Sequence, residues 1–180
     1  MYRRLACAVV LSLYTVACTP QIEYAPGTQK KMPEGVDLAV PMLHMSDPMV
    51  RSHTVQDVLV GEAGSQWFWT NQHPRFQLAW DEPETGWDFE AEFTVADVVL
   101  KQVGPVTVTF LLNDQPIGKE RYPKDGTYKF HAPVKPEILR GHDKQAFGMD
   151  VDPVYIAPGD GAKLGLLLQS IGFRKATLSR

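Results

Sequence analysis

Gly86-Trp-Asp-Phe-Glu-Ala-Glu-Phe-Thr-Val95 is the stretch whose reading decides the fold. Trp87, Phe89, Ala91, Phe93 and Val95 alternate with Asp88, Glu90, Glu92 and Thr94. Successive side chains of a strand point to opposite faces, so this segment has one oily face and one acidic face. A helix would scatter both sets around its circumference. A strand wet on one side belongs in an antiparallel sheet whose other side packs on a second layer.

Segments of the same kind flank it. Upstream, residues 55–60 form a first strand ended by Gly61-Glu-Ala-Gly64. Residues 66–70 form another, and after a turn at residues 71–74 the residues Phe76, Leu78 and Trp80 alternate again. Residues 36–43 make an edge or entry strand, because Pro41 cannot donate to a central ladder. Downstream, Gly104-Pro105 leads into a strand at 106–112, with turns at 113–116 and 124–126 on either side of a returning strand at 117–122. Further strands follow at 128–130, 146–151 and 164–173, and residues 136–140 suit one short helical turn. Short strands punctuated by Gly, Pro, Asn and Asp predict an all-β, antiparallel jelly-roll or Greek-key β-sandwich over residues 36–180, with at most short helical turns.

The chain before the domain has a different character. Tyr2-Arg-Arg4 is a basic head, followed by an apolar run at 5–16 that is too short to span a bilayer, and then Ala17-Cys18. That is the layout of a secretory signal peptide over residues 1–17. Thr15-Val-Ala-Cys18 resembles a bacterial lipobox, with Thr15 where Leu is usual. The resemblance implies a lipidated Cys18 as the mature N-terminus of an envelope protein, passed to the outer membrane where the cell has one. An ordinary cleaved signal and an uncleaved anchor are the alternatives. Residues 18–35, with Pro20, Pro26, Pro33, Gly27 and Gly35 among polar residues, read as a flexible tether. Both cysteines, Cys7 and Cys18, lie in the leader, so the exported domain relies on its core rather than on disulfides. Without Arg3 and Arg4, 16 basic residues stand against 21 acidic ones, changing the formal net charge from −3 to −5. No basic cluster tracks a phosphate backbone, which argues against nucleic acid as a partner.

The order of pieces from residue 55 to 173 resembles galactose-binding-like jelly-roll modules. Val106-Thr-Val-Thr-Phe-Leu-Leu-Asn-Asp-Gln-Pro-Ile-Gly118 is similar to their strand–turn–strand unit. Tyr128-Lys-Phe-His-Ala-Pro133, followed by Glu137-Ile-Leu139, resembles the next strand and half-turn. Asp152-Pro-Val-Tyr155 through Leu164 to Phe173 is similar to the closing segment. The resemblance implies a sandwich of a kind often attached to envelope and polysaccharide-processing proteins, many members of which bind sugars.

Three clusters are candidates for chemistry. Asp88, Glu90 and Glu92 share a strand face with neighbouring carboxyls about 6–7 Å apart, whereas retaining glycosidases hold theirs about 5–5.5 Å apart. Some sandwich-fold glycosidases use alternate acids, but in another order. A solvated face paired with cross-strand bases such as Lys129 is the simpler reading. All four tryptophans, Trp67, Trp69, Trp80 and Trp87, fall in one short region. Sugar rings present flat C–H faces on which an exposed Trp stacks, while polar neighbours hold the hydroxyls. Trp67, Trp69, Asn71, His73 and Arg75 are therefore the candidate ligand-binding residues, with Gln66, Gln72 and Asp81 nearby. Core packing is the alternative role for these rings, most clearly for Trp80 and Trp87. Asp150, Asp152 and Asp160 supply hard oxygens in a Pro- and Gly-containing stretch, but their spacing matches no EF-hand loop. His44, His53, His73, His131 and His142 show no zinc-ligand spacing.

No Gly-x-Ser-x-Gly, Gly-x-Gly-x-x-Gly or Walker loop is present, so neither a catalytic residue nor a cofactor is assigned. The sequence leads to a non-catalytic envelope lipoprotein that binds carbohydrate through an aromatic-rich sandwich face. An accessory protein docking a protein partner is the second reading, and an atypical glycan-active hydrolase is the third.

Overall fold

The computed structural model describes residues 41–59, 61–62, 64–80 and 83–176. The signal peptide, lipidated Cys18 and tether expected from the sequence lie outside the described residues, as do Asp81 and most of the entry strand expected at 36–43. In chain order the elements are β1 (Met42–His44), α1 (Val50–His53), β2 (Thr54–Leu59), β3 (Phe68–Ala79) and β4 (Trp87–Val95). Then come α2 (Asp97–Val103), β5 (Val106–Leu112), β6 (Gln115–Tyr122), β7 (Gly126–Pro133) and α3 (Pro136–Leu139). β8 (Lys144–Asp152), β9 (Tyr155–Ile156), β10 (Lys163–Leu164) and β11 (Leu167–Lys175) complete the series.

β4 behaves as its sequence predicts. Trp87, Phe89, Ala91, Phe93 and Val95 are buried, and the residues between them face outward. It sits between β11 and β7, antiparallel to both. β1 adds to the far side of β11, giving one layer in the order β1-β11-β4-β7. The second layer runs β2-β3-β8-β5-β6, again antiparallel throughout. Every connection crosses between layers except the β2–β3 and β5–β6 hairpins and the inserted β9–β10 hairpin. With β2 and the β9–β10 hairpin set aside, the other eight strands wind in two Greek keys, and the fold is a jelly-roll β-sandwich.

The layers meet through aromatic rings. Phe89 lies edge-on to Phe110 and Phe147, and Phe173 to Phe147. On one flank the layers are joined by hydrogen bonding, since the start of β3 pairs with the start of β11, Phe68 opposite Leu168 and Trp69 opposite Leu167. On the other flank β6 and β7 are edges. There Phe130 stacks on Phe110 at 3.6 Å and fills the space that a side chain at Gly118 would need. β6 carries Lys119, Glu120 and Arg121 on exposed positions, which discourages edge-to-edge pairing with another chain.

Two departures from the sequence reading have local causes. Residues 71–74 do not reverse the chain; they lie inside the twelve-residue β3. The β2–β3 ladder jumps from Val58–Thr70 to Gln56–Arg75, so four residues of β3 oppose Asp57 alone. The β8 ladder begins only at Arg75. Pro74 therefore occupies a bulge where no ladder donor is required. The second is α2, at residues to which the sequence reading assigned no element, although Val98, Val99 and Val103 carry strand propensity. Asp97 at its N-terminus suits the helix dipole, Lys101 pairs with Asp97 at 2.7 Å, and Gly104 at φ 78° ends it.

Candidate functional site

Residue parity along β3 places the candidate site. Phe68, Thr70, Pro74, Phe76 and Leu78 are buried, so the odd-numbered residues point to the other face, with Trp69 and Asn71 still partly covered. Trp69, Asn71, His73 and Arg75 thus share the outer face of the larger layer, with Trp67 just ahead of the strand.

The aromatic part lies at the start of β3. Trp67 is 45% exposed and stands edge-on to Trp69, ring centroids 6.4 Å apart at 81°. Leu59, 40% exposed, is the cross-strand neighbour of Trp69. Trp69 also leans on the core. The other two tryptophans form a separate pair with a structural role. Trp87 is buried, donates from Nε1 to the Pro83 carbonyl at 2.7 Å, and lies beneath the Lys175 ammonium. Trp80 packs edge-on against Trp87 and Phe173.

The polar part lies farther along the same face. The Pro74 carbonyl crosses over Gly148 on β8, where a Cβ would collide with it. That close approach lets the bulge reach Asp150. Arg75 donates to Asp150 Oδ1 at 2.6 Å and to the Met149 carbonyl at 2.6 Å, and His73 Nδ1 meets the same Oδ1 at 2.9 Å. The His73 backbone N–H donates to Asp57 Oδ2, and the Gln56 amide donates to the His73 carbonyl. Burial pushes the Asp150 pKa up, but the hydrogen bonds and charges of Arg75 and His73 outweigh it and hold the carboxyl below its ordinary value. Asp150 is thus an ionised acceptor.

Of the five candidates, Trp67 and Trp69 come together, as do His73 and Arg75. Asn71 is the exception, since its Oδ1 is buried with no hydrogen-bond partner among the described residues. Its backbone oxygen lies close to Gly165, at the β10–β11 junction. Asp57, Gln56 and Asp150 complete the polar cluster. Asp150 stands 77 residues from His73, and only the β3–β8 register joins them.

The acidic stripe on β4 is consumed by cross-strand bases. Asp88 pairs with His131 at 2.9 Å, Glu90 with Arg174 at 2.8 Å and Glu92 with Lys129 at 3.0 Å. The three aspartates considered for calcium do not converge: Asp150 holds Arg75 and His73, and Asp160 accepts from the Ala162 N–H in its own turn. Among the described residues no group of three or more His, Cys, Asp and Glu gathers to hold a metal.

No protein-family model matches the chain, and no curated protein matches it. Among solved structures it is similar to the CBM36-1 domain of a multidomain xylanase from the hindgut metagenome of Trinervitermes trinervoides. The identity is 11% and the TM-score 0.39, over 73% of this chain and 94% of that one. It is also similar to BtGH115A, a family GH115 4-O-methyl-α-glucuronidase with specificity for decorated arabinogalactans. There the identity is 10% and the TM-score 0.42, over 77% of this chain and 18% of that one.

Proposed function

We propose that this protein is a lipid-anchored, non-catalytic envelope protein that binds carbohydrate on the outer face of β2 and β3. The observation that carries the binding reading is the exposed Trp67, standing edge-on to Trp69 and sharing a strand face with the His73–Asp150–Arg75 cluster. An aromatic face beside fixed hydrogen-bonding groups is the combination that a pyranose ring requires. The leader ending in Cys18 supports attachment through lipid and a place outside the cytoplasm. Probing the purified protein and its Trp67→Ala, Trp69→Ala double variant on a glycan array tests the binding reading. Retention of glycans by the parent, lost in a variant with unchanged circular dichroism, supports it. Silence from a folded parent overturns it.

A protein-docking role is the second reading, favoured by exposed Val55 and Leu59 on the edge strand β2. Capture of one envelope protein by the parent, abolished by Leu59→Asp with no glycan bound, would select that reading.

A further inference from the structure

On the carbohydrate reading, the angle between Trp67 and Trp69 limits the physical form of the ligand. A crystalline polysaccharide presents its sugar rings as one flat sheet, and an aromatic ring stacks on it only by lying parallel to that sheet. Two rings grip such a sheet together only when they are coplanar. The planes of Trp67 and Trp69 cross at 81°, with ring centroids 6.4 Å apart, so at most one of the two can lie flat on any plane. No other ring makes up the deficit. Among the described residues Trp67 is the one exposed Phe, Tyr or Trp, and Trp80 and Trp87 pair at the opposite end of the sandwich.

Trp69 has something other than a second flat face to offer. Its ring leans on the core, but its indole N–H donates to nothing among the described residues and is not buried, unlike the buried and unpartnered Nε1 of Trp80. A pyranose stacked on Trp67 carries its oxygens around the rim, in its own plane, toward a neighbouring ring that stands near a right angle to Trp67. Hydroxyl oxygens accept hydrogen bonds, and an indole N–H only donates. We infer that the ligand is a single soluble glycan chain, one sugar of which lies flat on Trp67 and accepts at its rim from Trp69 Nε1, and that crystalline polysaccharide surfaces are not bound. In a crystal the same sugar has its rim hydroxyls bonded to neighbouring chains and presents only its flat face.

Affinity electrophoresis of the purified protein through gels containing soluble xylan, mixed-linkage β-glucan, galactomannan or starch tests this, beside sedimentation with microcrystalline cellulose and crystalline chitin. At least one soluble polysaccharide is expected to retard the parent, and neither crystalline solid to carry it into the pellet. For that polysaccharide Trp67→Ala weakens binding roughly fivefold or more. Trp69→Phe keeps an aromatic ring against the core while removing the N–H, and weakens binding about threefold or more. Unchanged circular dichroism shows that both variants are folded. Sedimentation of the parent with a crystalline solid, lost in Trp67→Ala, overturns the inference and leaves the platform standing, as does soluble binding that Trp69→Phe leaves unchanged. A polysaccharide that holds Trp67→Ala as tightly as the parent, or no binding to any of them, overturns the platform and the inference together.

Discussion

Arg75 on β3 and Asp150 on β8 meet at 2.6 Å on the outer face of the larger layer, two residues along from the Arg75–Gly148 register pair. The contact holds the Asp150 carboxyl below its ordinary value of 3.8. A depressed carboxyl pKa contributes stability that is fully present above the unfolded value and is lost as pH falls through the folded one. Asp150→Asn is therefore less stable than the parent at neutral pH, and the difference closes at acid pH below the folded value. Urea melts across that range measure it. A gap that stays constant with pH rejects the assignment.

Gly148 is where the bulge rests on β8. Gly148→Ala forces the Pro74 carbonyl away, at a cost of about 1–3 kcal/mol, because an overpacked backbone contact has no flexible side chain to yield. It also separates His73 from Asp150. A variant that melts with the parent would show that the bulge lifts freely.

The two tryptophan pairs differ in what their removal costs. Trp67→Ala is expected to cost no more than about 1 kcal/mol, since the residue is 45% exposed and lies outside the core. Trp87→Ala empties a core position and costs about 3–5 kcal/mol. Denaturant melts of both separate a lost ligand contact from a lost fold.

Glu90 faces Arg174 on the outer surface of the other layer, away from Trp67 and Trp69. Glu90→Gln is expected to cost at most about 1 kcal/mol and to leave glycan binding intact. Loss of binding in the folded variant would move the site to that face.

Gln145 is fully buried, donating to the Leu139 and His142 carbonyls and accepting from Asn113. Gln145→Leu leaves these groups unpaired and costs about 1–3 kcal/mol, readable as a lower melting temperature. It tests the link that ties α3 to the β5–β6 turn, where Asn113 and Asp114 both take positive φ.

How much of this was legible in the sequence depended on how local the signal was. β4 announced itself because every odd residue is apolar and every even one polar, and its burial follows that pattern without a break. The β5–β6 hairpin was equally plain, since Asn113-Asp114 suits a turn that needs positive φ at both positions. α2 was not legible. Its valines carry strand propensity, and packing of Val99 into the core overrides it. Asn71-Gln-His-Pro74 reads as a turn on composition, and only the neighbouring ladders convert it into a bulge. Trp67, Trp69, His73 and Arg75 were visible as a cluster because they lie close in sequence. Asp150 drew notice only as a candidate calcium ligand, because nothing near it in sequence points to His73.

The pairing of β1 with β11 fixes where residue 41 lies relative to the Trp67–Trp69 pair. Pro41 accepts the Phe173 N–H at one end of β11, while Leu167 stands opposite Trp69 at the other. Six strand steps separate the two places, about 20 Å. Residue 41 therefore lies at the end of β11 that carries Trp80 and Trp87, opposite the Trp67–Trp69 pair. A molecule seated on Trp67 and Trp69 is thus kept clear of the backbone at which β1 begins.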